Sequence, residues 1–221
     1  MSAHTRTHHD ETSLLDETAL AERIFEHIDA GTTDLGDTVW REPVSHYLSQ
    51  ERFEEECALI RRYPTPFCPS AALPEQGSYL ARMAAGNPIV VTRDGDGSVS
   101  AFINACRHRG MQVAEGNGCA KALSCPYHGS TYGLDGTLKG IPGQSGFPEL
   151  DREQHGLKAV AAIERGGIIY VQQERDIDPR RLTHALDYFS PNQPLFDQKV
   201  LTDSANWKLL YETLMAGYHI K

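Results

Sequence analysis

The alternation of apolar and polar positions changes character three times along the 221 residues of the chain. In residues 14–28, apolar side chains stand at Leu14, Leu15, Ala19, Leu20, Ile24, Phe25 and Ile28. Recurrence every three to four positions predicts one amphipathic helix, with Thr12 or Ser13 as its N-cap. Residues 31–37 are polar and turn-forming, and a second helix is predicted over 49–63, where Pro64, Pro66 and Pro69 bring it to an end. From about Gly77 the texture becomes short runs of Val, Ile, Tyr and Phe separated by Gly, Asp and Pro. These predict strands at 78–84, 88–93, 98–104, 120–124, 132–138, 158–164 and 168–173. Asp94-Gly95-Asp96-Gly97 is a hairpin turn between two of them, and Gly166-Gly167 joins the last pair. Beyond Pro179, residues 181–188 read as a short helix and 191–194 as a linker. Trp207, Leu210, Leu214 and Tyr218 then recur at helical spacing, predicting a helix within 201–221.

The pattern divides the chain into a helical region (1–63), an antiparallel β domain (64–180) and the start of something new (195–221). Composition changes this picture little: 23% charged and 40% hydrophobic residues are ordinary for a globular protein. Charge matters more, because 21 basic against 30 acidic residues give a formal −9, with no basic cluster to attract a phosphate backbone. Nucleic acid is therefore not an expected partner. The first eleven residues lack the apolar core of a secretory signal, and no later run approaches the ~18 apolar residues of a membrane span. A cytoplasmic protein without membrane contact is expected. Five cysteines form no regular framework, and in a reducing compartment metal binding suits some of them better than disulfides.

Two short motifs carry the chemistry: Cys106-Arg107-His108 followed by Arg109-Gly110, and Cys125-Pro126-Tyr127-His128 followed by Gly129. Each supplies one thiolate and one imidazole, a donor set that suits zinc or an iron–sulfur centre and not magnesium or calcium. Zinc modules commonly group like ligands with like, as Cys-x2-4-Cys and then His-x3-5-His. One Cys and one His per loop instead suits a [2Fe–2S] cluster of mixed ligation, each loop giving its Cys to one iron and its His to the other. Structural zinc, and four unrelated residues, are the alternatives. Gly110 and Gly129 let backbone pass close to the metals, and Pro126 stiffens the second loop.

The run from Phe102 to Gly110, with 125–129, closely resembles the cluster-binding loops of Rieske non-haem iron oxygenases, the aromatic-ring-hydroxylating family. The similarity spans roughly residues 40 to 221. Asn206-Trp207-Lys208, Glu212 and Gly217-Tyr218-His219 look like the opening of that family's catalytic domain. The resemblance implies an α+β protein: an antiparallel β Rieske domain after a helical N-terminal region, then the beginning of a helix-grip-like catalytic domain. It implies that Cys106, His108, Cys125 and His128 hold the cluster and that His219 is the first ligand of a mononuclear Fe(II). It also implies a reductase, with or without a ferredoxin, that draws electrons from NAD(P)H, a small organic substrate, O2, mono- or dioxygenation, and a homotrimer or trimer-based assembly. The second iron histidine is expected five residues after His219, so the sequence reads as a fragment of the whole enzyme. The main alternative is a Rieske ferredoxin-type electron carrier with no catalytic iron of its own.

Two positions depart from the family pattern. Ala216 stands where an acidic residue often bridges cluster and iron, which makes Glu212 a candidate for that catalytic role. Ser130 stands where a Trp often follows the second cluster loop. Tyr127, Ser130 and Tyr132 are candidates for tuning the cluster through hydrogen bonds to its sulfurs. Cys57, Cys68 and Cys119 read as plain thiols and His4, His8 and His9 as solvated tail residues. Arg107 and Arg109 are read as charges that assist the reduced cluster or its docking with a partner.

Overall fold

The structure is a computed structural model that describes residues 15–35, 38–190, 192–201 and 204–215. The chain divides into two compact units, 1–43 and 44–221. In the first, helix α1 (Glu17–Ala30) starts later than its apolar pattern suggests. Its N-cap is Asp16, whose carboxylate accepts from the Ala19 N–H at 2.8 Å, in place of the expected Thr12 or Ser13, which lie outside the described residues. Gly31, at φ +60°, ends the helix in the left-handed conformation that a residue without Cβ adopts readily.

The second unit opens with α2 (Ser45–Leu48) and α3 (Gln50–Arg61), the latter capped by the Ser49 hydroxyl, which accepts from Arg52 N–H at 3.2 Å. An antiparallel sheet of seven strands follows, in the order β1-β10-β9-β4-β3-β2-β5. Its members are β1 (Thr65–Pro69), β2 (Ser78–Ala84), β3 (Asn87–Arg93), β4 (Val99–Ile103), β5 (Asn117–Cys119), β9 (Ala159–Arg165) and β10 (Ile168–Gln172). The predicted prolines of 64–69 hid β1. As an edge strand it pairs with β10 alone, so Pro66 and Pro69 can lack an N–H without breaking a ladder. A smaller sheet holds β6 (Leu123–Ser124), β7 (Thr131–Tyr132) and β8 (Leu138–Gly140). The protein is thus α+β, with helices flanking antiparallel sheets.

Period-two alternation gives the large sheet two buried faces. Ile89, Val91 and Ala101 point into a core with Phe67, Leu80, Val160 and Ile169. Their neighbours Val90 and Phe102 point the other way, into a second core with Leu123, Tyr132, Leu138, Cys106 and Cys125. The second core joins the two sheets, and both motif cysteines are among its members.

Three expectations are corrected. The strand expected at 132–138 is two strands, because residues 133–136 form a turn closed by Gly136 N–H on the Gly133 carbonyl at 2.9 Å. Gly136 sits at φ +77°, and a Cβ there would meet the Phe102 ring at 2.2 Å, so only glycine fits beneath that ring. Of the strand expected at 120–124 only residues 123 and 124 form one, β6, because 120–122 lie in the connection from β5. The helix expected at 181–188 is only a short 3-10 turn, Pro179–Leu182. Tyr188 and Phe189 send their N–H groups to the Gly166 carbonyl, at 3.1 and 3.4 Å, and so are unavailable to a helical ladder.

Helix α4 (Trp207–Met215) realises the described part of the helix expected in 201–221. Lys208 Nζ donates to both Glu56 oxygens at 2.7 and 2.8 Å, and Trp207 Nε1 donates to the same carboxylate at 3.0 Å, which pins α4 to α3. Burial works against the Glu56 charge, but the bonds from Lys208, Trp207 and Arg52 outweigh it and hold this carboxyl below its usual range. Among the described residues no helix is long and apolar enough to cross a membrane.

Candidate metal centre

Two loops meet at one end of the second core. The first leaves β4 and carries Cys106 and His108; the second joins β6 to β7 and carries Cys125 and His128. Both fold by the same pair of backbone bonds. Cys106 N–H donates to the Met111 carbonyl at 2.7 Å and Gly110 N–H to the Cys106 carbonyl at 2.8 Å. Cys125 N–H donates to the Ser130 carbonyl at 2.8 Å and Gly129 N–H to the Cys125 carbonyl at 2.9 Å. The turns need left-handed residues, and Gly110 and Gly129 supply them at φ +74° and +75°.

Asn104 braces the first loop from below. It is 2% exposed; its side-chain oxygen accepts from Val113 and Ala114 N–H at 2.9 and 3.2 Å, and its amide donates to the Ala114 carbonyl at 2.8 Å. Its backbone N–H bonds the Pro88 carbonyl at 2.9 Å, tying the loop to β3.

The four side chains of the two motifs are sorted by depth. Cys106 and Cys125 are 4% and 3% exposed, whereas His108 and His128 are exposed, with ring centroids 4.8 Å apart. Tyr127 stacks on His128 at 3.8 Å. Two pairs, thiols below and imidazoles above, match a binuclear group that takes two ligands per metal.

Tyr132 closes the buried side. Its hydroxyl accepts from Arg107 N–H at 3.0 Å and lies 3.3 Å from Cys106 Sγ. When Cys106 is a thiolate, which has no proton to give, the phenol is the donor of this contact. Burial and the Cys106 sulfur push the Tyr132 hydroxyl up to about 12. Burial also disfavours the Cys106 thiolate, but the bonds from Tyr132, the loop backbone, Cys125 and Ser130 outweigh it and lower the thiol. Beside the histidines opens a cleft of about 540 Å³, lined by Arg107, Ser130, Leu138, Pro142, Phe147 and His155 among others. Pro142 covers Gly129, where a Cβ would come within 3.0 Å of its ring.

The structure therefore brings Cys106, His108, Cys125 and His128 together, with Ser130 and Tyr132 beneath them. Glu212 is elsewhere: it lies on α4, does not line the cleft, and accepts from the Tyr47 hydroxyl at 2.9 and 3.0 Å. His219 and Ala216 lie outside the described residues, as do His4, His8 and His9. Cys57 and Cys68 are buried, and burial pushes the Cys68 thiol up to about 11; Cys119 is exposed. Asn104 and Pro142 escaped the reading of the sequence. A lone polar residue directly after the apolar run of β4 was the available signal for Asn104.

Residues 64–159 match the profile of the family described as the Rieske [2Fe-2S] domain. The oxygenase subunit of glycine betaine monooxygenase from Chromohalobacter salexigens is 37% identical over 155 residues, covering 66% of this chain and 34% of that protein. The large subunit of anthranilate 1,2-dioxygenase from Burkholderia cepacia is 29% identical over 197 residues, 81% of this chain and 46% of that protein. Among solved structures, a quaternary ammonium Rieske monooxygenase superposes with a TM-score of 0.60 at 28% identity, covering 64% of this chain and 40% of that one. The chain spans between a third and a half of the length of these relatives.

Asn104→Ala leaves the Val113 and Ala114 N–H groups buried without a partner. A loss of roughly 2–4 kcal/mol of unfolding free energy is expected in urea titration. A loss under about 0.5 kcal/mol, the scale of an ordinary surface substitution, would show that the loop does not lean on this side chain.

Proposed function

The chain belongs with the large subunits of Rieske non-haem iron oxygenases, and on that premise we propose that Cys106, His108, Cys125 and His128 hold its [2Fe–2S] cluster. It would take electrons from a reductase and deliver them toward a catalytic ferrous iron for oxidation of a small organic molecule by O2. The observation that carries the ligand assignment is the separation of two buried thiols from two exposed imidazoles on loops of identical backbone bonding. Cys106 and Cys125 take one iron, and His108 and His128 the other. The bound group supplies one-electron redox chemistry at roughly −150 to +300 mV, above all-cysteine ferredoxins, because imidazole replaces two thiolates.

The chain's own residues set the terms of that chemistry. The buried thiols keep water from the sulfur side, and the exposed imidazoles make the histidine side the route by which electrons enter and leave. The Tyr132 proton, aimed at Cys106 Sγ, stabilises the extra negative charge of the reduced state and raises the potential. Ser130, 6% exposed beside Tyr132 in the cleft, adds a second hydroxyl to that side.

His219 is proposed as the first ligand of the ferrous iron, four residues after α4 ends in the sequence, and the Tyr47–Glu212 and Glu56–Lys208 contacts hold α4 itself. A reductase using NAD(P)H and a trimeric assembly complete the reading by kinship. So does the division into a Rieske domain (64–180) and a catalytic domain beginning near residue 195. Relatives named for glycine betaine and for anthranilate define the range of substrate chemistry to be screened.

The assignment is tested on purified protein by iron, acid-labile sulfide and visible absorption. The expected result is a red-brown protein with sulfide present, lost in Cys106→Ser and in His128→Ala but retained in Cys57→Ser and Cys119→Ser. Zinc without sulfide, or a cluster that survives Cys106→Ser unchanged, would reject it. In the loaded protein, Tyr132→Phe removes one hydrogen bond of ordinary strength. Potentiometric titration should find the potential lowered by roughly 20–65 mV, about 0.5–1.5 kcal/mol at one electron.

A further inference from the structure

A cavity of about 220 Å³ lies between the end of α3 and strands β1, β2 and β10, with Arg61 and Arg82 on its wall and Ile60, Phe67, Met83 and Val171 in its apolar lining. Hydrogen bonds fix that wall. Arg61 Nη1 donates to the Ala85 carbonyl at 2.9 Å, Gln173 Nε2 to the Ala84 carbonyl at 2.9 Å, and Thr65 Oγ1 to the Tyr63 carbonyl at 3.1 Å. Asn87 Nδ2 in turn donates to Gln173 Oε1 at 2.7 Å, so the turn between β2 and β3 is tied down on both sides. Arg82 is different. Its guanidinium lies over the Phe67 ring, 4.4 Å from the centroid, and among the described residues it has neither an ion pair nor a hydrogen bond. Glu115, which shares a neighbouring cavity with Arg82, forms no ion pair with it, whereas Arg93 and Arg180 sit on Glu164 and Asp178. Although Arg82 reaches solvent, burial of its inner side works against the charge, and only the Cys68 sulfur acts the other way. Arg61 and Arg62 already share Glu174, so with Arg82 three arginines meet one carboxylate, a formal +2 in a chain of −9.

We propose that this cavity binds a small organic carboxylate, its carboxylate gripped by Arg82 and its apolar body lying against Ile60, Met83 and Val171. A charge drawn partly out of water is costly until it is paired, and a carboxylate guest removes that cost. The planar guanidinium can give such a guest two parallel N–H bonds, and its stacking on Phe67 sets the plane of the fork before the guest arrives. Walls already held by hydrogen bonds have little freedom left to lose on binding. The apolar lining selects against a bare inorganic anion, which would fill only the charged end. The volume lies below the roughly 300 Å³ at which pockets for drug-sized molecules begin, so the guest is a single small ring or a short chain. The proposal does not depend on which residues hold the metal.

The test uses the purified full chain, labelled with ¹³C at its methionine methyl groups, and benzoate as the probe. The methionines are Met1, Met83, Met111 and Met215, and among the described ones only Met83 lines the cavity. Its resonance is assigned with Met83→Leu. Benzoate should shift the Met83 methyl signal saturably, with a Kd on the order of 0.1–1 mM, and leave those of Met111 and Met215 in place. Arg82→Gln should weaken binding roughly tenfold or more, the scale of a lost charge-assisted pair, and Arg82→Lys, which keeps the charge without the fork, should fall between. Benzamide, of the same shape but uncharged, should bind the unaltered protein roughly tenfold or more weakly than benzoate. This comparison decides alone should the Arg82 variants fail to fold. No shift at Met83 up to roughly 20 mM benzoate would overturn the proposal. So would benzamide binding as well as benzoate, or benzoate binding that a folded Arg82→Gln leaves unchanged. Inorganic phosphate binding more tightly than benzoate would also overturn it, by making the guest a bare anion.

Discussion

The site depends on a backbone turn used twice. In each loop the cysteine N–H is bonded to the carbonyl five residues on, and its carbonyl accepts from a left-handed glycine four residues on. The consequence is that the thiol points back into the core while the histidine, two or three residues later, emerges at the surface. The second core supports both turns from one side: Val90 and Phe102 from the large sheet, and Leu123, Tyr132 and Leu138 from the small one, pack beside the two cysteines. Gly136 lets the 133–136 turn lie against Phe102, and Thr92 Oγ1 donates to the Leu134 carbonyl at 2.7 Å, so the turn that ends the small sheet is tied to β3. Sheet packing and the placement of the two motif cysteines are thereby parts of one arrangement.

The electrostatics follow from the same depth sorting. On the thiol side, where charge is costly, the Tyr132 hydroxyl accepts from the Arg107 N–H, lies 3.3 Å from Cys106 Sγ and is pushed up to about 12, so it keeps its proton at any ordinary pH. On the imidazole side the environment is open and cationic. Under the proposed ligand assignment, hydrogen bonds from below would stabilise reduced-state charge, and Arg107 and Arg109 stand on the exposed side of a chain that is acidic as a whole.

Much of this was legible in the sequence, for physical reasons that can be named. Strands such as β3 and β10 were visible because Val, Ile and Tyr cluster between turn residues. The four candidate ligands stood out because each loop pairs one thiol with one imidazole and follows them with a glycine. The loop motifs and the later segment with Trp207 and Lys208 pointed to the family. What the sequence hid depends on tertiary placement. Prolines argued against β1 until its edge position made the missing N–H groups harmless. Residues 132–138 satisfied a strand pattern, but the Gly133 and Gly136 turn folds them back on themselves. Residues 181–188 had helical content, yet only short turns form there and Tyr188 gives its N–H to the Gly166 carbonyl. Asn104, between an apolar strand and a reactive loop, shows its purpose only when Val113 and Ala114 come back to it.

The central claim is that two imidazoles, one from each loop, bind the same iron. It is tested most directly by pulsed electron paramagnetic resonance on the dithionite-reduced protein prepared with ¹⁵N-histidine. The account predicts two directly coordinated nitrogens in the hyperfine spectrum, reduced to one when His128 is replaced by Cys. A spectrum without coordinated nitrogen, or one that the His128 substitution leaves unchanged, would contradict it.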